Sequence, residues 1–326
     1  KLVGTGGAGN NILNRLFSRR VKGVETIALN TDANHLNQCK AHVRKVLGAK
    51  VTKGRGAGGD PYIGKRCAED DEEDIRSKLS DGDIIFVIAG MGGGTGTGSA
   101  PVIAKYAKET DAVVVGVAIL PFREEGLSRR KVALEGLAEL KKNCDCVIEL
   151  DNEKLNELTD GDYPIQKAFS VMSDLVSGIV QSLSEVVTEP SMINVDFADL
   201  KKIIEAGGTA KVLYGESDGS DPGSVLDSVL GNPLLGNNYK GAEAVLLHIA
   251  AGSEFAMSDC HEVLSALKYD LAEDANLIWG LRTDDSMSTK VKVVMLVSAI
   301  PDSEHDLSTD VDEELNSLGS SLPMIN

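Results

Sequence analysis

The apolar run Ile84-Ile85-Phe86-Val87-Ile88-Ala89 is followed almost at once by Gly92-Gly93-Gly94-Thr95-Gly96-Thr97-Gly98. Five glycines in seven residues are poorly suited to a helix or strand interior, because glycine loses the most backbone entropy on folding. They suit a loop in which the backbone presses against a ligand. A buried strand, this loop and a helix opening at Ser99-Ala100-Pro101 would aim amide N–H groups and the positive end of a helix dipole at one point. Such a point attracts an anion, and a phosphate fits best.

The chain of 326 residues favours two domains, and 42% hydrophobic with 25% charged residues is an ordinary globular composition. No apolar run reaches the roughly 18 residues of a membrane span. The first residues, Lys1-Leu2-Val3, read as part of a strand, so the start of the chain says nothing about targeting. A net charge of −17 argues against nonspecific nucleic-acid binding and against direct attachment to an anionic membrane. Five scattered cysteines offer no paired metal-ligand spacing, and no metal site is assigned to side chains.

Strand-like runs at Thr26–Leu29, Val43–Leu47, Ile84–Ala89, Ala112–Leu120 and Cys146–Leu150 alternate with helical patterns. Those helices are expected at about Asn10–Arg20, Arg66–Leu79, Ser99–Glu109 and Leu127–Asn143. Unbroken runs such as Val113-Val114-Val115-Gly116-Val117 fit strands covered on both faces. The fold class is therefore α/β, a Rossmann-like doubly wound parallel sheet. Apolar residues at three- and four-residue steps from Ile165 to Val187 predict one long central helix. Beyond it, strands at Ala210–Gly215, Glu243–Ala251, Asn276–Leu281 and Lys290–Ala299, with helices at Gly223–Leu230 and Ser258–Leu271, predict a smaller mixed α/β domain. The expected units are residues 1–163, the central helix and following loop at 164–206, the second domain at 207–302, and an acidic tail at 303–326.

Two further glycine segments matter. Gly4-Thr5-Gly6-Gly7-Ala8-Gly9 matches G-x-G-x-x-G, with Asp32 placed where a dinucleotide fold holds its ribose. Gly59-Asp60-Pro61-Tyr62-Ile63-Gly64-Lys65 approaches a P-loop but has Arg66 where a Mg²⁺-binding hydroxyl is required. A dehydrogenase has no use for the additional strand, glycine loop and helix at Gly92–Gly98, whereas a nucleoside triphosphate has several charges to distribute among N–H donors.

Gly92–Gly98 resembles the signature loop of the family of tubulin and its prokaryotic relative FtsZ. Gly6-Gly7-Ala8-Gly9-Asn10 is similar to that family's first phosphate loop, Asn30-Thr31-Asp32 to its second, and Gly56-Ala57-Gly58-Gly59-Asp60-Pro61 to its third. Pro121-Phe122-Arg123-Glu124-Glu125-Gly126 with Arg129 resembles its ribose-contacting segment, and Asn194-Val195-Asp196-Phe197-Ala198-Asp199 its synergy loop. The blocks run in order over residues 3 to 205 and resemble FtsZ, with an archaeal character, more than eukaryotic tubulin.

The resemblance implies a GTPase that binds GTP and GDP with Mg²⁺ and polymerises head-to-tail as a cytoplasmic scaffold at the division site. It implies nucleotide contacts from Gly6, Gly7, Ala8, Gly9, Asn10, Asn30, Thr31, Ala57, Gly58, Gly59, Gly92, Gly93, Gly94, Thr95 and Gly96, with Thr97 and Gly98 completing the turn. Glu125 and Arg129 would reach the ribose, and Phe169 would stack on guanine. Where the family usually has Asp or Asn to read the purine edge, this chain has Ser173, with Asp174 adjacent; Asn14 is a further candidate. Asp196 and Asp199, with Asn194, would act catalytically on the neighbouring subunit's GTP; their local reading is helix capping, and both can hold. Partners implied are further copies of the chain and a membrane adaptor or other division protein bound through a C-terminal tail. No nucleic-acid binding or direct membrane insertion is expected.

Three alternatives remain open on the residues. An NAD-dependent oxidoreductase would use Gly4–Gly9 and Asp32, but none of the five histidines falls on a loop expected to face a cofactor. A tubulin-like cytoskeletal protein could serve cell shape instead of division. A third reading binds GTP without efficient hydrolysis, and Asp196 and Asp199 speak against it.

Overall fold

The computed structural model describes residues 1–19, 21, 23–158, 165–206, 210–218, 222–232, 234–235 and 239–300. The expected acidic tail lies outside them. Strands β1 (Leu2–Thr5), β2 (Thr26–Asn30), β3 (Val43–Val46), β4 (Ile84–Gly90), β5 (Val113–Leu120) and β6 (Cys146–Asp151) form one parallel sheet in the order β3-β2-β1-β4-β5-β6. β1 sits between β2 and β4, with Leu2 opposite Thr26 on one side and Phe86 on the other.

Helices α1 (Gly6–Arg19), α2 (Ala33–Gln38), α3 (Ala49–Thr52), α4 (Pro61–Asp70), α5 (Glu72–Leu79), α6 (Thr95–Lys108), α7 (Leu127–Lys141) and α8 (Glu153–Leu158) connect these strands or follow the last. One sheet face buries Ile85, Val87 and Ala89 against α4–α7, while the other buries Phe86 and Ile88 against Ile12, Leu13 and Leu16 of α1. The strands are apolar on both faces because both faces are covered.

The long helix α9 (Ile165–Thr188) and the shorter α10 (Phe197–Ile204) come next. α9 buries Met172, Val176, Ile179, Val180 and Leu183 in the same core as α1 and α10. That core also takes in Tyr214, Leu246, Val294 and Leu296 from the second sheet, so α9 forms a middle layer between the sheets. The second sheet contains β7 (Lys211–Ser217), β8 (Ala244–Ala251), β9 (Asn276–Thr283) and β10 (Val291–Ser298) in the order β7-β10-β8-β9. β10 runs antiparallel to β7 and β8, and β8 is parallel to β9. α11 (Pro222–Leu230) and α12 (Met257–Asp270) cover its outer face.

Helix starts differ from the sequence expectation. α1 begins at Gly6, four residues before Asn10, and α6 begins at Thr95, so Pro101 lies inside the helix and not at its opening. Gly96 and Gly98 are therefore helical, and close packing explains them. A β-carbon at Gly98 would lie 2.0 Å from the Pro61 carbonyl oxygen, because α4 and α6 cross there almost backbone to backbone. The expected helix Arg66–Leu79 is two helices, α4 and α5, broken at Asp71.

Candidate nucleotide site

β1 and β4 are neighbours, yet α1 packs on one face of the sheet and α6 on the other. Their helices diverge at the carboxyl ends of the two strands and leave the crevice expected at a topological switch point. The first four N–H groups of each helix have no acceptor within it, so two sets of donors and two positive dipole ends converge there. Gly6 has φ +71°, and a β-carbon on it would stand 2.9 Å from the Gly96 amide nitrogen, so the two turns are nearly in contact. Gly9 brings α1 onto β4, with its β-carbon position 2.2 Å from the Ile88 carbonyl oxygen.

The signature turn is supported from behind. Thr31 and Thr95 share a hydroxyl–hydroxyl hydrogen bond of 2.5 Å, and Thr5 and Ser99 share one of 2.6 Å. The Gly92 amide donates to Thr97 Oγ1 at 2.9 Å. Gly94 leaves room for the third loop, since a β-carbon there would be 2.8 Å from the Asp60 amide nitrogen and 2.9 Å from Ala57 Cβ. Over Gly58, Gly59 and Gly93, by contrast, a β-carbon would meet nothing within 4 Å. Backbone amides thus line an open cleft whose rear wall is tightly packed.

The predicted contact residues differ in exposure. Gly7, Ala8, Gly58 and Gly59 are exposed, whereas Asn10, Asn30 and Thr31 are buried. Asn10 Nδ2 donates to the Leu29 carbonyl oxygen, and Asn30 Oδ1 accepts from the Asp32 amide at 3.1 Å. Asp32 caps α2 by accepting from Asn34 N at 2.9 Å and His35 N at 3.1 Å. The acid that a dinucleotide fold would spend on ribose is spent here on a helix start.

On the far side of the signature turn, Arg129 pairs with Glu125 at 3.0 Å, and a β-carbon at Gly92 would lie 2.8 Å from the Arg129 carbonyl oxygen. The start of α7 therefore leans on the turn. At the other end of the cleft, α9 meets α1: Arg15 donates to Ser170 Oγ at 2.7 Å, and Arg19 pairs with Asp174. Ser173 is buried and Asp174 is exposed beside Arg19, so Ser173 takes the inward position. The Phe169 side chain lies outside the described residues. Asn14 Oδ1 accepts from the Lys40 amide.

Asn194, Asp196 and Asp199 lie elsewhere. The carboxyl end of α9 packs at the amino ends of the strands, where Ser184, Val187 and Thr188 share a cavity with Lys1, Asp83 and Ile84. The segment that follows is fastened to β9 by reciprocal Ile193–Leu281 backbone bonds of 3.1 Å. Lys201 of α10 pairs with Asp111, just before β5, at 3.4 Å. These carboxylates therefore stand at the opposite end of the sheet from the glycine turns, at least the length of β4 away, about 20 Å. They form a capping box: the Asp199 amide donates to Asp196 Oδ1 at 2.8 Å, and the Asp196 amide donates to Asp199 Oδ2 at 3.2 Å. Both remain accessible to another molecule.

Residues 1–160 match the model of the Tubulin/FtsZ family GTPase domain, and residues 208–301 match the FtsZ family C-terminal domain. The cell division protein FtsZ 2 of Methanocaldococcus jannaschii is 42% identical over 303 residues, covering 92% of this chain and 79% of that protein. FtsZ 2 of Haloferax volcanii is 42% identical over 300 residues, covering 92% and 74% respectively. The chain belongs to the Tubulin/FtsZ family. The structure of an empty FtsZ dimer from M. jannaschii superposes with a TM-score of 0.84 at 38% identity, covering 92% of this chain and 88% of that one. The GDP-bound CetZ1 monomer of Haloferax volcanii shares the fold, with a TM-score of 0.79 at 21% identity over 98% of both chains.

Membership in the Tubulin/FtsZ family bears out the expected fold and, through its GTPase domain, implies guanine nucleotide binding and GTPase activity. Asn11 is exposed on the α1 face that carries Arg15 to α9. The sequence expectations leave out one residue that the fold brings to the cleft. His35 lies beside the first glycine turn, with Nε2 3.9 Å from the β-carbon position of Gly7, although it stands on a helix and not on a loop. The short helix α2, absent from the sequence reading, carries it there.

Proposed function

We propose that this chain is a cell-division GTPase whose nucleotide is held by one subunit and hydrolysed with help from the next. The opposed placement of the amide-lined cleft and the Asp196–Asp199 pair, at the two ends of one sheet, carries this reading. A head-to-tail contact joins these two unlike surfaces, and such heterologous contacts propagate into filaments when the rotation does not close.

In this reading the α1 and α6 amides hold the phosphates, with Gly58, Gly59 and Gly93 allowing close approach. Asn30, Thr31 and Gly92 shape the cleft from behind. Glu125 and Arg129 bind the ribose side, and Ser173 with Asn11 serves the base. Carboxylates from the neighbour orient a water in line with the γ-phosphate and accept its proton, while the amides stabilise charge on the phosphoryl oxygens. When Mg²⁺ is bound it neutralises phosphate charge, and Asp196 and Asp199 of the neighbour are suitable hard oxygen ligands beside phosphate and water. Hydrolysis then weakens the contact that buries the nucleotide. Residues 1–163, 164–206 and 207–302 serve as nucleotide domain, connecting helix with catalytic loop, and second domain.

Among the described residues no helix is long and apolar enough to cross a membrane. A membrane adaptor or another division protein, bound through the C-terminal tail, is the proposed link to the division site. Asp199→Ala provides the test: turnover should be lost while GTP binding stays within about twofold. Loss of GTP binding in that variant, with the fold intact, would contradict a role on the partner's nucleotide.

A further inference from the structure

We infer that His35 is a phosphate-contacting residue of the nucleotide cleft, donating a hydrogen bond from Nε2. The inference rests on the nucleotide reading above and adds a side-chain donor to the backbone amides proposed to hold the phosphates.

A chain of hydrogen bonds sets the imidazole tautomer. The Asp32 amide can only donate, so the Asn30 atom 3.1 Å away is the acceptor Oδ1. That leaves Asn30 Nδ2, a donor, facing His35 Nδ1 at 3.3 Å. Nδ1 must accept, and the proton of the neutral ring resides on Nε2. The arrangement is firmly held: Asn30 is only 2% exposed, and the Asp32 carboxylate accepts from the His35 backbone amide at 3.1 Å.

Nε2 points toward the first glycine turn and lies 3.9 Å from the β-carbon position of Gly7. Gly7 is exposed in the first turn of α1, where the amides have no helical acceptor. No described protein atom accepts a hydrogen bond from Nε2. An N–H with a fixed direction therefore stands beside the amides that would receive a phosphate oxygen, and hydrogen bonds to ionised acceptors are the stronger class. His35 would contact the phosphate chain and not the base, because it approaches from α2 over the start of α1.

The test combines affinity and spectroscopy on the intact chain below its assembly concentration, with GDP and guanosine as probes. His35→Ala and His35→Asn should weaken GDP binding about tenfold or more, the loss expected for one hydrogen bond to a charged group. His35→Asn keeps a polar group near Asn30 but cannot reach the Nε2 position. His35→Gln, whose carboxamide can, should stay within about threefold of the parent. Guanosine affinity should not change in any variant. With ¹⁵N-labelled histidine, long-range NMR should find the His35 proton on Nε2, and that resonance should move on adding GDP but not guanosine. Unchanged GDP affinity in His35→Ala would overturn the inference, as would equal losses for GDP and guanosine or a proton on Nδ1. If the parent chain itself fails to bind GDP, the nucleotide reading falls and the inference falls with it.

Discussion

Thr31, at the carboxyl end of β2, and Thr95, the first residue of α6, are joined by a hydroxyl–hydroxyl hydrogen bond of 2.5 Å. They are 64 residues apart in sequence, and their bond ties the second loop to the signature turn across the mouth of β1. The cleft is therefore one preorganised wall and not two independent loops.

Thr31→Val keeps the shape and removes the hydroxyl. It should cost about 1 kcal/mol of stability, the usual net value of a hydrogen bond, and weaken GTP binding several-fold by loosening the start of α6. Denaturant midpoints at unchanged m-value, with GTP titrations alongside, would measure both effects.

Glycine substitutions should separate packing from binding. Gly98→Ala forces a methyl group to within 2.0 Å of the Pro61 carbonyl oxygen and 2.6 Å of the Lys65 amide nitrogen. A loss of about 1–3 kcal/mol is expected from such overpacking. Gly93→Ala meets nothing within 4 Å. It should leave the unfolding midpoint nearly unchanged while reducing nucleotide affinity, because the methyl group occupies the cleft side of the turn.

His248, on β8, is 2% exposed and is pushed down to about 4 by burial and by the nearby Arg282 charge. In the unfolded chain its value is near 6.5. As pH falls through about 6.5 the unfolded chain takes up the proton first, so the stability owed to a neutral His248 is complete above that pH and is lost down to about 4. Between pH 7 and pH 5 the loss should be about 2 kcal/mol. His248→Leu should lack this part of the pH dependence, which denaturation at the two pH values would reveal.

Mixing should restore activity between two inactive variants. A subunit with Asp199→Ala offers an intact cleft, and one with Gly93→Trp offers intact carboxylates on a blocked cleft. Alone, each should hydrolyse GTP at background rate; together they should recover a substantial fraction of parental turnover. No recovery, with both variants folded and co-assembling, would count against a shared site.

Much of this architecture was legible because the same residues serve packing and chemistry. The Ile84–Ala89 and Val113–Leu120 runs could only be strands buried on both faces, and the apolar spacing from Ile165 onward could only be one long helix. Less legible was where loops end and helices begin. Gly6, Gly96 and Gly98 read as loop residues by propensity, but close approach of Gly98 to Pro61 makes glycine a requirement of helix packing. Tertiary contact overrode local preference there. His35 was missed for a related reason: α2 has six residues and too few apolar positions to show a period. The placement of Asp196 and Asp199 could not be read from spacing, since it depends on how far α9 carries the chain across the sheet.

The most direct test of the shared site is phosphate release from GTP, per subunit, as protein concentration is raised, with ATP as the control. Negligible turnover when dilute, rising above a threshold concentration and absent with ATP, is the predicted result. Turnover per subunit that stays constant with dilution would place the catalytic groups within one chain and contradict the account.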